Sequence, residues 1–231
     1  MMPDRPHWPG HLFDTHCHLH FPELSDDLDP VMERALEAQV RGILIPSVDL
    51  PSSVVSSRIA GERGLWSAAG FHPNHLEGAS EESFRGVRRL CLLPQAAAVG
   101  ETGLDRCRNR FPMELQLHWF RRQIELAEAL GLPLTVHSRG AEEEVLEALP
   151  ARPSFPVVLH SWSGGPETTK KAVSRGFYIG FTGAVTYRRS DPAKIFDGVP
   201  RELVLAETDA PFLPPEPLRG RRNEPAHVRL T

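Results

Sequence analysis

Eight short apolar runs recur along the chain, each separated from the next by a longer stretch, mostly amphipathic. The runs fall at residues 11–14, 42–45, 66–70, 96–100, 134–136, 157–159, 178–181 and 203–206. Helical spacing is expected at 30–39, 52–62, 81–91, 112–130, 141–149, 166–175 and 192–196. Strands that alternate with helices pair in parallel, because parallel neighbours need a crossover. Eight such units close into a TIM (β/α)8 barrel, which is the fold class expected here. An open doubly wound sheet is the alternative, but the chain has neither a GxGxxG turn nor a GxxxxGK[ST] loop. The pattern stops at Thr231, soon after Pro225, so the usual C-terminal helix after strand eight is expected to be missing or truncated.

Composition agrees with one α/β domain over residues 1–231. A chain of 231 residues, 40% hydrophobic, buries roughly 70% of its extended surface without disulfides. The three cysteines, Cys17, Cys91 and Cys107, are odd in number and irregularly spaced, which argues against a disulfide scaffold and for a reducing, cytoplasmic setting. No run approaches a membrane span, and residues 1–10 lack a signal-peptide core.

Chemistry-bearing residues follow the strands. The first strand leads into Asp14-Thr15-His16-Cys17-His18; residues two apart share a side of an extended chain, so His16 and His18 can converge while Cys17 points away. Glu101 follows strand four, His137 strand five, His160 strand six and Asp209 strand eight. In a barrel these strand ends share one face. Four imidazoles and two carboxylates suit two divalent ions such as Zn, Mg, Mn, Fe, Ni or Co. Taken singly, Glu101 could be a surface acid and Asp209 a helix cap. His72, after strand three, could contact substrate or pack a turn. His7, His11, His20, His75 and His118 read as ordinary, and His227 is unassigned.

Seven segments then stand in order: Phe13-Asp14-Thr15-His16-Cys17-His18, Gly70-Phe71-His72-Pro73, Gly100-Glu101-Thr102-Gly103-Leu104-Asp105, His137-Ser138-Arg139, His160-Ser161-Trp162-Ser163-Gly164-Gly165, Glu207-Thr208-Asp209-Ala210-Pro211 and Arg222-Asn223-Glu224-Pro225. With them the chain resembles the TatD family of metal-dependent deoxyribonucleases, in the amidohydrolase superfamily, from about residue 12 to 229. The resemblance implies that His16, His18 and Asp209 hold one metal, that Glu101 bridges to a second held by His137 and His160, and that Asp209 takes a proton from the attacking water. Arg106-Cys107 and Ser161-Trp162 depart from the family pattern without removing a ligand. Many superfamily relatives bridge their metals with a carboxylated lysine after strand four; Lys170, Lys171 and Lys194 are the only lysines, and none lies there.

The substrate is read from the arginines. Net charge is -4, yet Arg106, Arg108, Arg110, Arg139, Arg188, Arg189, Arg219, Arg221 and Arg222 all follow strands on the expected catalytic face. Arg139, Arg106, His72 and Trp162 are the candidate substrate contacts, with Trp162 and Phe71 placed to stack on bases or to pack the barrel rim. The leading expectation is DNA phosphodiester cleavage, exonucleolytic by the resemblance, with Glu101 and Asp209 as catalytic residues. The alternatives are hydrolysis of an amide, lactone or ester, including aminoacyl-tRNA deacylation, and a metal-binding scaffold without catalysis. A monomer is expected, with a dimer possible through the strand-eight flank.

Overall fold

Each apolar run forms a strand: β1 (Leu12–Asp14), β2 (Val40–Ile45), β3 (Trp66–Ala69), β4 (Ala96–Asp105), β5 (Leu134–Arg139), β6 (Val157–His160), β7 (Tyr178–Phe181) and β8 (Val204–Ala206). All neighbours pair in parallel, in chain order. This computed structural model describes residues 10–188 and 190–231; the opening segment with His7, and Arg189, lie outside the described residues. The ring closes just past the strands. Thr15 N–H donates to the Ala206 carbonyl at 3.3 Å, Asp209 N–H to that of His16 at 2.8 Å and His18 N–H to that of Ala210 at 2.9 Å. The seam of the TIM barrel is therefore made by the segments that carry His16, His18 and Asp209.

Helices wrap the ring: α1 (Pro22–Ser25), α2 (Leu28–Glu37), α3 (Leu50–Arg63), α4 (Glu81–Leu90), α5 (Met113–Leu130), α6 (Glu142–Ala148), α7 (Pro166–Ser174) and α8 (Asp191–Ile195). Only the four-residue α1 is absent from the periodicity, being too short to show any. Reciprocal side-chain caps, Asp49 with Ser52 and Ser80 with Ser83, start α3 and α4. Gly131, at φ 64°, ends α5 as the sequence suggests. The main core lies between the sheet and α4–α7, with Trp119, Phe120, Phe155, Phe177 and Trp162 buried in it.

Among the described residues no α-helix follows β8. A 3-10 helix, Pro225–Leu230, packs instead on α2 and the first two strands, with Val228 against their apolar cluster. Arg34 of α2 grips both carboxylate oxygens of Glu224 with hydrogen bonds of 2.7–2.9 Å. The strand β8 remains only partly covered. No helix among the described residues is long and apolar enough to cross a membrane.

β4 outruns its neighbours and carries Glu101 into the ring. Its pairing register with β5 shifts between Val99 and Thr102. Gly100 and Gly103, both at φ 132°, flank that irregularity. A Cβ at Gly103 would lie 2.0 Å from the His137 carbonyl oxygen. Gly103→Ala should therefore lower unfolding stability by about 2 kcal/mol or more in urea titration, whereas Gly78→Ala, in open space, should change it by less than about 1 kcal/mol.

Candidate metal centre

Six side chains meet at the mouth of the ring, centred on the buried carboxylate of Glu101. Its two oxygens face different partners. Oε2 lies 3.4 Å from Nε2 of His16 and 3.6 Å from Nε2 of His18. Oε1 lies 3.2 Å from Nδ1 of His137, 3.6 Å from Nε2 of His72 and 4.0 Å from Nε2 of His160. Asp209 Oδ1 closes the far side, 3.3 Å from His18 and 3.6 Å from His160. Asp209 sits at φ 54° and Ser161, beside His160, at φ 44°, so the backbone is strained at two of these positions.

The spacing fits divalent ions. Nitrogen and oxygen ligands about 2.0–2.2 Å from a metal lie about 3 Å or slightly more from one another. The Nε2 atoms of His16 and His18 face each other at 3.3 Å, an arrangement that two protonated rings could not keep. Clusters of His16, His18 and Glu101, and of Glu101 with His72 and His137, have the proximity that ligation requires. His72 differs in its tautomer. Its Nδ1 accepts the Asn74 N–H at 3.0 Å, so in the neutral ring Nε2 carries the proton and faces Glu101 as a donor rather than a ligand.

Charge in the pocket is strongly perturbed. Burial opposes charge on Glu101, but His72 and His16 outweigh it and hold the carboxyl well below its usual range. Asp209 is likewise lowered, burial being outweighed by His160 and His18. Burial also opposes protonation of His160, yet Glu207 and Asp209 raise it to about 10. Burial is outweighed at His137 too, by Asp105 and Glu101, which raise it. His16 is lowered, by burial and by the neighbouring His160. Without other cations the carboxylates draw protons onto His137 and His160.

A second layer of residues holds these groups, and sequence reasoning passed over it. Asp105 accepts from His137 Nε2 at 3.1 Å and is itself gripped by Asn74 Nδ2 and the Arg108 N–H, both at 2.8 Å. Glu207 lies 2.9 Å from Nδ1 of His160, a charge contact out of line for a good hydrogen bond, and accepts the Ser161 N–H at 2.6 Å. Two buried glutamines of α5, seven residues apart on one face, reach the ends of the strands. Gln123 joins Phe71 to Thr102, and Gln116 accepts the Asp105 N–H at 2.8 Å. Asp14, raised to about 7 by burial, accepts from Thr208 N–H and Oγ1 and ties β1 to the Asp209 turn. Asn223 spans that turn, donating to the Thr208 and Phe212 carbonyls at 2.9 and 2.7 Å. Two buried glutamines at helical spacing, and Asp105 inside a motif already singled out, were the available signals.

The centre opens into a cavity of about 860 Å³. Arg139 and His72 line it, as the sequence suggests, and so does Arg108. Two expected contacts, Trp162 and Arg106, are corrected, and Phe71 takes the packing alternative. Trp162 is fully buried, its indole N–H donating to Thr169 Oγ1 at 2.8 Å, so it packs the core rather than stacking on substrate. Phe71 is buried against Trp119 as well. Arg106 turns away and pairs with Glu144. Arg110 with Glu77 and Arg222 with Asp27 are also paired, so the cationic face is smaller than the arginine count implies. What remains in the cavity is Arg108 and Arg139, for which no carboxylate lies within ion-pair distance among the described residues.

Comparison with known proteins agrees with this geometry. The model of the family described as TatD related DNase matches residues 13–231. The chain belongs to the TatD family. It is 34% identical over 222 residues to the metal-dependent hydrolase YabD of Bacillus subtilis, covering 94% of this chain and 87% of that one. It is 36% identical over 229 residues to the 3'-5' ssDNA/RNA exonuclease TatD of Shigella flexneri, with the same shares. The crystal structure of YJJV, a TatD homolog from Escherichia coli, superposes with a TM-score of 0.85 at 30% identity, over 94% of this chain and 86% of that one. The protein is thus a metal-dependent hydrolase of the TatD type.

Two measurements test the centre. Asp105→Asn should weaken divalent-ion binding by about 10–100-fold in calorimetric titration with the fold retained. Because His160 and His137 hold protons more tightly than free imidazole, an ion must displace them. Affinity should rise with pH between 6 and 9, by about one log unit per pH unit for each proton displaced. Proton release is read from titrations in buffers of different ionisation enthalpy.

Proposed function

We propose that this TatD-family chain cleaves phosphodiester bonds at the ends of DNA strands with two divalent ions. One observation carries the reading: the two oxygens of Glu101 face separate histidine groups, below a cavity whose wall presents Arg108 and Arg139. His16, His18 and Asp209 would hold one ion, His137 and His160 the other, and Glu101 both. When bound, such ions supply positive charge at the phosphate and make water acidic enough to attack at neutral pH. The native ion, among Zn, Mg, Mn, Fe, Ni or Co, is left to measurement.

The chain's own groups then have distinct tasks. Asp209, its carboxyl held in the ionised form, accepts the proton of the attacking water. Arg139 and Arg108 neutralise non-bridging phosphate oxygens as charge builds there. His72 directs its Nε2 proton at Glu101 and so helps to hold that carboxylate ionised. Action on DNA agrees with the relatives named as exonucleases. A monomer is the working form on this reading, and the partly covered β8 is the flank through which a dimer could form.

Hydrolysis of an amide, lactone or ester is the second reading. It is favoured by the pairing of Arg106, Arg110 and Arg222 with carboxylates, which leaves fewer cations for a long polyanion. The deciding experiment uses metal-stripped protein, end-labelled single-stranded DNA, and Mg, Mn, Zn or nothing. Stepwise shortening that requires metal and falls by at least about 100-fold in folded Glu101→Ala is the expected result. No shortening with any metal, in protein shown to bind ions, overturns the DNA assignment and turns attention to carbonyl substrates.

A further inference from the structure

The loops after β8 and β1, across the ring from those after β4 and β5 that carry Arg108 and Arg139, bring apolar side chains to the cavity, among them Phe212. The side chain is 46% exposed, three residues beyond Asp209, and lines the cavity with Phe21 and Leu213. A single exposed phenylalanine needs no explanation in general. This one is held unusually firmly. Its N–H donates to the Asp209 carbonyl at 2.8 Å, and its carbonyl accepts from the buried Asn223 at 2.7 Å. Its ring meets Phe21 edge-on, with centroids 5.9 Å apart, and Phe21 in turn stacks on His18 at 4.8 Å and 16°. An exposed aromatic ring therefore stands beside a candidate ligand, meeting His18 edge-on at 6.3 Å and again by way of Phe21.

We infer that Phe212, backed by Phe21, is the stacking platform for the terminal base of the bound strand. The inference rests on the nuclease reading above and adds a residue-level account of strand preference. Phosphates can lie along Arg108 and Arg139 while the end base lies on the apolar wall. Every base has a π face, so such a platform accepts any sequence. A duplex end leaves only the outer face of its last base free and holds that base rigidly in line with its paired strand, so an unpaired base, free to turn out of its strand, reaches the ring far more easily. Phe212 thereby selects single-stranded ends by their base, whereas the arginines hold any phosphate.

The test uses the metal-loaded full chain and short single strands with uncleavable phosphorothioate links. Their ends are normal or carry one abasic residue, at either terminus. Binding is read by fluorescence anisotropy. Wild type should bind the normal strand about fivefold or more tightly than the strand abasic at one particular terminus. Phe212→Ala should remove that preference, and Phe212→Trp should restore it. Equal binding of normal and abasic strands by wild type overturns the platform. So does a Phe212→Ala loss that is the same for both strands, or no strand binding at all. If the preference is present but no ordinary strand is shortened with Mg, Mn or Zn, the platform stands and the nuclease reading falls.

Discussion

A carboxylate at the centre of a barrel is expensive to bury, and the structure is arranged around making Glu101 tolerable there. An ionised group out of water must be paired on every side that solvent has left. Glu101 meets this with imidazoles on both oxygens rather than with one fixed cation. That choice has a consequence for the backbone. The strand must reach past the plane of its neighbours to deliver the side chain, which requires residues at φ 132° that only glycine adopts readily. It has another for the packing. Gln123 and Gln116 replace apolar residues on the inner face of α5, because the ends of β3 and β4 carry amides and carbonyls that the irregular register leaves without ladder partners.

The barrel was readable in the sequence because its signal is repetition. Eight runs at similar spacing admit few closed arrangements, and a boundary error of one or two residues in any run changes nothing. The convergence of the candidate ligands was readable for the same reason: His16, His18, Glu101, His137, His160 and Asp209 each stand just after a run. What failed was side-chain direction within the loops. Trp162 and Phe212 are both aromatics close to a candidate ligand, and nothing in their neighbours distinguishes them. Trp162 turns inward because Thr169 offers a buried partner for its N–H. Phe212 stays outward because the turn from Asp209 is pinned by Asn223, a residue eleven positions on. Both outcomes depend on contacts that no local pattern encodes.

The arginines show the same limit for charge. Counting them along the chain suggests a broad cationic face, but each long side chain chooses a partner only after the helices are placed. Arg106 finds Glu144 on α6, and Arg222 finds Asp27 ahead of α2. Exposed pairs of this kind contribute little to stability; their effect here is subtractive, since they withdraw charge from the loops around the cavity. Two arginines on one wall are suited to positioning a phosphate or two, not to wrapping a long duplex.

The two halves of the centre are also built differently. His137 has the carboxylate of Asp105 behind it, and His160 that of Glu207. A carboxylate in that position makes an imidazole more basic and restricts its rotation. The outer nitrogens of His16 and His18 have no hydrogen-bond partner among the described residues, and that of His160 meets Glu207 only as a charge contact. These two rings are positioned by ring contacts instead, His16 stacking on His160 at 3.4 Å and His18 on Phe21 at 4.8 Å. Stacking fixes a ring's plane but tolerates sliding within it, whereas the hydrogen bond on the second nitrogen of His137 fixes its direction. The half of the centre on the barrel seam is therefore more compliant than His137. It is also the half coupled, through Phe21 and Phe212, to the apolar wall. An end base pressed onto that wall would act on His18 through Phe212 directly and through Phe21, while His137 stays held by Asp105.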